Sequence, residues 1–272
     1  MTTVTTSPTT RAIEKARAEG RAALVGYLPA GFPDVDGAIE AMTLMVDAGC
    51  DVIEIGLPYS DPVMDGPTIQ AAAQQALEGG VRTHDVLRTV EAVAATGAPT
   101  LVMTYWNPVE QRGVARFAAE LASAGGAGLI TPDLTPDSGA EWIAAADEHD
   151  LDKVFLVAPS STDERLAMTT AACRGFVYAT AVMGVTGARA STSELAGPLV
   201  ARTRAVSPVP VGVGLGVSNG DQAAEIAAYA DAVIVGSAFV RTLLDADGDR
   251  DRGLTALRSL TEDLARGVRA RA

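Results

Sequence analysis

PVGVGLGVSNGDQAAEIAAYADAVIVGSA, residues 210–238, reads as one full unit of a repeating design. An apolar run, PVGVG (210–214), closes on glycine; an Ala-rich amphipathic stretch, NGDQAAEIAAYA, follows it; a second apolar run, AVIVG (232–236), closes on glycine again. A strand, a helix and another strand in that order define a parallel pair, because parallel neighbours need a long crossover. Outward from this unit the pattern recurs in LVGYL (24–28), DVIEIG (51–56), TLVMT (100–104), AGLIT (127–131), KVFLVAP (153–159) and GFVYAT (175–180). Helical segments such as DVDGAIEAMTLMVDAG and GVARFAAELASAGG stand between them. The strands are apolar throughout, as expected when both sheet faces are covered, and eight of them is the number that closes a barrel. One more helix, RAIEKARAEGRAA (11–23), precedes the first strand and is placed to cover the barrel floor. The expected fold is therefore α/β: a single-domain (β/α)8 TIM barrel over residues 11–272 with an extra N-terminal helix, after a disordered tail at 1–10.

Composition narrows the function. The 272 residues are 48% hydrophobic, enough for one large core, and no composition break divides residues 20–270. A formal net charge of −13 argues against nucleic acid, which attracts clustered Lys and Arg. No apolar run approaches the length of a membrane span, and MTTVTTSPTT lacks the basic and apolar regions of a signal peptide. Cys50 and Cys173 have no paired spacing, so a reducing cytoplasm is the expected location. Only two Lys and two His are present, which limits the available chemistry.

Barrel enzymes work at the C-terminal ends of their strands, and three places pass that filter. Glu54 stands inside the apolar run 51–56, where burial of a charge costs several kcal/mol unless the group is paired or its pKa is raised. Pointing inward it would suit proton transfer in both directions; pointing outward it would be a structural partner for an Arg on a covering helix. Asp61 and Asp65 follow in a Pro- and Gly-rich loop, where Asp65-Gly66 also reads as a simple turn. The second and third places are GVGLGVSNGDQ (212–222) and VGSA (235–238), which end strands seven and eight and open helices. Small residues there expose backbone N–H groups to an anion, the recurrent phosphate site of this fold. MGVTGARAST (183–192), after strand six, has the composition of a mobile lid or of an ordinary flexible connection.

Elimination follows from the residue types. A Schiff-base aldolase needs a Lys at a strand top, but Lys153 opens a strand and Lys15 lies in the leading helix. His84 and His149 sit at helix ends and make poor metal ligands, and YLPAGFP is no dinucleotide fingerprint. Carboxylate acid–base chemistry remains, with a substrate that supplies its own electron sink.

At this point the residues resemble a family. EIGLPYSDPVMDGPTIQ, then YATAVMGVTGAR, then GVGLGVS and VGSA, in this order, are similar to the tryptophan synthase alpha chain from about residue 20 to the C-terminus. The resemblance implies a carbon–carbon lyase that cleaves indole-3-glycerol phosphate to indole and glyceraldehyde 3-phosphate, with no metal and no cofactor in this chain. It implies Glu54 as the general acid/base and Asp65 as acceptor of the indole N–H. It implies Tyr178 against the substrate, Thr186 in a lid over Asp65, and a pocket lined by Tyr27, Met103 and Ile130. Phosphate would rest on Gly187, Gly216, Gly236 and Ser237. The implied partner is a pyridoxal-phosphate beta chain in an alpha-2 beta-2 tetramer, docked near Pro58, Asp61 and Asn107.

Two loops depart from the family pattern: AGFP places Phe32 where many members have Asp, and TAVM precedes GVTG. Rival readings are another phosphosugar enzyme of the same fold, a non-catalytic activating subunit, and a stand-alone indole lyase. The first leaves SDPxxDG unexplained, and the second gives no reason for a buried Glu.

Overall fold

Alternation along each strand sorts its side chains between two cores. The computed structural model describes residues 7–180 and 193–270. Its strands are β1 (Ala23–Pro29), β2 (Val52–Gly56), β3 (Thr100–Met103), β4 (Gly128–Ile130), β5 (Asp152–Val154), β6 (Leu156–Val157), β7 (Val177–Thr180), β8 (Val211–Gly214) and β9 (Ala232–Val235). All pair in parallel, in the order β5-β4-β3-β2-β1-β9-β8-β7-β6. Only Phe155 separates β5 from β6, and its carbonyl accepts from Tyr178 N–H at 3.1 Å, while the Val154 carbonyl accepts from Thr131 N–H at 3.3 Å. The two ends of the sheet are thus halves of one strand, the expected KVFLVAP run. The barrel is eight-stranded and nearly closed, an α/β TIM barrel.

Ala23, Val25, Val52, Leu101, Ile130, Val154, Phe176 and Ile234 form the interior cluster, whereas Leu24, Leu28, Ile53, Ile55, Val102 and Leu129 face the surrounding helices. Every expected strand begins within one residue of its expected start except β7, which begins two residues later, and all stop within two residues of their expected ends.

The leading helix is shifted from expectation. It spans Pro8–Ala18, with Ser7 Oγ accepting from Thr10 N–H at 3.0 Å as the N-cap. Pro8 at the first position needs no N–H there, and Gly20 at φ +77 ends the helix instead of lying inside it. Ser7 to Thr10 therefore belong to the helix and not to a disordered tail; residues 1–6 lie outside the described residues. Ile13 and Ala16, both fully buried, plug the interior cluster from below. Arg21 then leaves the helix direction and clamps Asp51 with two hydrogen bonds of 2.6 and 2.8 Å, while Asp51 also accepts from Leu24 N–H. Such a bidentate pair fixes the start of β1 against the start of β2. Among the described residues no helix is long and apolar enough to cross a membrane.

Candidate active site

Glu54 belongs to the inner face of β2. It shares parity with Val52, which lies in the interior cluster, while Ile53 and Ile55 lie in the outer one. Its register partners are Tyr27 on β1 and Leu101 on β3. An outward Glu paired with a helix Arg is excluded. The residue is 1% exposed and its Oε1 has no hydrogen-bond partner among the described residues. Loss of water around the carboxyl, with nothing to offset it, raises its pKa to about 8. A group titrating near neutrality can both give and take a proton.

Glycines open the space around it. Gly56, one layer above Glu54, lies under the Tyr27 ring: a Cβ there would sit 2.2 Å from the tyrosine oxygen. Gly214 lies likewise under Tyr178, with 2.3 Å to its oxygen. Two phenols therefore lean across the chamber into places where neighbouring strands carry no side chain. Burial, above all, holds both hydroxyls protonated well above their ordinary range, with the Asp65 charge adding to it at Tyr27 and the Glu54 carboxylate, once ionised, adding to it at both. Met103 and Ile130 pair with the Gly56 layer and line it with apolar surface.

Asp65 is half-buried at the mouth. Desolvation raises its pKa, and a hydrogen bond from Tyr105 works in the opposite direction. Tyr105, 6% exposed, was not singled out by the sequence. Its oxygen accepts from Met64 N–H at 3.0 Å, and its ring packs on Tyr59 at 5.4 Å between centroids. It anchors the SDPxxDG loop to the end of β3. The signal that could have found it is positional, an OH-bearing residue two places past a barrel strand. Thus Glu54, Asp65, Tyr27, Tyr178 and Tyr105 lie around one chamber.

The two glycine-rich loops differ in an informative way. The helix Gly220–Ala227 is capped twice by side chains: Asn219 accepts from Gln222 N–H at 2.9 Å, and Asp263 accepts from Gly220 N–H at 2.7 Å. The helix Ser237–Leu244, opened by Gly236, has no side-chain cap. Its N-terminus faces the mouth with the partial positive charge of its first N–H groups uncompensated by a side chain, which suits an anion. Gly216 stands in the adjacent loop at φ +69, a left-handed turn that glycine takes without strain. β8 and β9 pair directly, so both loops leave the same rim.

The remaining expectations divide. Thr186 and Gly187, with most of TAVM, lie outside the described residues. Asp61 and Asn107 are exposed, and Asn107 Nδ2 donates to Tyr59 at 3.2 Å, but Pro58 is buried and offers little contact surface. Phe32 is buried in the outer core, so the AGFP departure serves packing. Lys153 pairs with Asp147 at the foot of β5, far in sequence and height from the mouth. Both cysteines are free, and among the described residues no group of three or more His, Cys, Asp or Glu side chains could hold a metal.

Fold and site define a (β/α)8 barrel of the carboxylate type, with a buried proton-exchanging group at the chamber's centre and an uncapped helix N-terminus on its rim. A sequence profile described as tryptophan synthase alpha chain matches residues 13–269. The chain is 64% identical over 258 residues to the tryptophan synthase alpha chain of Salinispora tropica, covering 95% of this chain and 96% of the relative. It superposes on a Mycobacterium tuberculosis tryptophan synthase structure with a TM-score of 0.90 at 57% identity, covering 97% of this chain and 99% of that one. Against tryptophan synthase subunit alpha of Legionella pneumophila the TM-score is 0.88 at 29% identity, with 96% and 98% covered. The chain belongs to the tryptophan synthase alpha chain family.

Proposed function

We propose that this chain cleaves indole-3-glycerol phosphate to indole and glyceraldehyde 3-phosphate, as the alpha subunit of a tryptophan synthase. The observation that carries the reading is Glu54, a buried carboxyl on the inner face of β2 whose Oε1 has no hydrogen-bond partner among the described residues and whose pKa burial raises to about 8. Glu54 gives a proton to indole C3, which makes the ring an indolenine whose nitrogen draws electrons. Removal of the proton from the glyceryl hydroxyl beside the ring then forms the aldehyde C=O. The C–C bond breaks and its electron pair returns to the ring, restoring indole. Asp65 accepts the ring N–H and stabilises the positive charge that develops there. Tyr27, Met103, Ile130 and Tyr178 wall the indole. The N-terminus of Ser237–Leu244 with Gly216 and Gly236 takes the phosphate, joined by Gly187, and Thr186 closes over Asp65.

The chain needs no cofactor of its own in this reading. Its partner is a pyridoxal-phosphate beta chain, assembled as an alpha-2 beta-2 tetramer, in the cytoplasm. Residues 11–272 act as one domain. The test is indole release from indole-3-glycerol phosphate by wild type and Glu54→Gln, each with and without a beta chain. Release that Glu54→Gln lowers by about 10³-fold or more fits a lost general acid/base. Near-wild-type release by the variant would refute the mechanism, and none from wild type would move the activating-subunit reading to the front.

A further inference from the structure

Two of the barrel's connections carry an extra helix. Between β2 and β3 the chain makes Pro67–Glu78 and Thr83–Ala94, and after β9 it makes Ser237–Leu244 and Arg250–Gly267. The first helix of each pair follows directly on a rim loop that the site uses. Pro67–Glu78 begins two residues after Asp65, and Ser237–Leu244 begins at the proposed phosphate site. β1 lies between β2 and β9 in the sheet, yet these two helices pack on each other across it. Their link is a hydrogen bond between residues 173 positions apart: Arg241 Nη2 donates to Thr68 Oγ1 at 2.9 Å.

Both ends of that bond are anchored. Arg241 stands one turn after Ser237, on the same side of its helix, and Phe239 and Val240, both fully buried, hold that helix down. Thr68 is the second residue of its helix, with buried Ile69 beside it, and Gln70 in the same turn donates from Nε2 to the Asp65 carbonyl at 2.8 Å. The path from the phosphate helix to the backbone of Asp65 is thus two side-chain hydrogen bonds and one helical turn. The guanidinium is poorly placed to serve stability. Other exposed arginines, such as Arg88, Arg165 and Arg250, pair with carboxylates. Arg241 makes no ion pair among the described residues and meets a neutral hydroxyl. It also brings positive charge to the N-terminus of Pro67–Glu78, where the helix dipole disfavours it. We infer that Arg241 is a positioning residue, a strut that fixes the turn carrying Asp65 at a set distance from the phosphate helix. The inference rests on the roles proposed for Asp65 and for Ser237–Leu244. Its chemical sense lies in the substrate, which is gripped by its phosphate at one rim loop and by its ring N–H at another. A strut between the loops sets the spacing of the two grips, and so where the ring C3 stands relative to Glu54.

The test takes Arg241 and Thr68 as a pair. kcat and KM for indole-3-glycerol phosphate are measured in complex with a beta chain, and urea midpoints alongside. Arg241→Met removes the donor and its charge. Thr68→Val removes only the acceptor and keeps the shape, and Thr68→Ser restores the acceptor. The expected result is kcat lower by about ten-fold in Arg241→Met and in Thr68→Val, with KM within about two-fold and Thr68→Ser close to wild type. The double variant should be no slower than either single one, because both changes cut the same link. The urea midpoint of Arg241→Met should match or exceed that of wild type, since a cation leaves a helix N-terminus. Thr68→Val at the wild-type rate, with KM raised in Arg241→Met, would make the arginine a direct attractor of phosphate and overturn the inference. So would losses that multiply in the double variant, or a midpoint that falls with the rate. Glu54→Gln in the same assay keeps the outcomes separate: its retention of turnover would refute the parent mechanism instead.

Discussion

Glu54 couples catalysis to stability through one carboxyl. Unfolded, it ionises near its ordinary pKa, about 4.3; folded, it keeps its proton to about pH 8. Below the lower value both states are protonated and the residue contributes no penalty. Between the two the unfolded chain binds fewer protons than the native one, so stability falls as pH rises, and above the upper value the penalty stays constant. At about 1.4 kcal/mol per unit the whole window is worth on the order of several kcal/mol. Glu54→Gln removes the titration, so the inactive variant should gain on wild type as pH rises. Urea midpoints measured at pH 5 and pH 8.5 should differ little at the first and by roughly 1 M in the variant's favour at the second. A gap that does not grow with pH would mean the carboxyl is hydrated or paired. At this scale the sequence was legible where a residue broke a pattern: a charge inside VIEIG is visible without coordinates. Tyr105 broke none. Its role depends on the Met64 N–H, 41 positions away, and on Asp65, which only the fold brings to it.

Strands were the most legible elements, since apolar runs bounded by Gly, Pro and Asp have few other conformations open to them. Helix ends were less so. The start at Pro8 rests on the Ser7 cap, a pair of residues that also reads as part of a polar tail. The contrast between the two rim helices was half visible. Asn219 is a recognisable N-cap, but the Asp263 carboxylate that occupies Gly220 N–H arrives from a helix 43 positions later. That contrast makes a prediction about Ser237, the first residue of the uncapped helix. Ser237→Asp adds a negative charge where the dipole favours one, so the folded protein should gain about 0.3–1 kcal/mol in chemical denaturation. The same charge stands where the phosphate is proposed to bind. KM should therefore rise by about ten-fold or more with kcat less affected, and inorganic phosphate should lose its inhibition. A variant that is more stable and binds substrate as well as wild type would place the phosphate elsewhere on the rim.

Closure of the barrel makes its rim a rigid ring, so motion at the mouth belongs to the loops. One loop, between β2 and the helix Pro67–Glu78, joins inside to outside. It carries Asp65 beside Tyr105 on its inner part, while Asp61 and Val63, the latter 71% exposed, stand in water on its outer part. Tyr59 in the same loop accepts a side-chain hydrogen bond from Asn107, in the first turn of the helix Trp106–Arg112 that follows β3. A partner that covers the outer part would shift the position and hydration of Asp65 without touching Glu54, which is anchored in the strand. Coupling of ordinary size between two such sites is about 5- to 150-fold. The beta chain should therefore raise indole release by an amount in that range, and the rise should pass through Asp61. Asp61→Asn alone should keep the unassisted rate within about two-fold, because an exposed side chain outside the chamber has no part in proton transfer. Titrated with beta chain, it should recover only a small part of the wild-type rise even at saturation, since the contact that steers the loop is missing. Turnover measured across a beta-chain titration separates the terms. A full rise at higher beta-chain concentration would make Asp61 a source of affinity alone. No rise in wild type would leave the mouth loop uncoupled from docking.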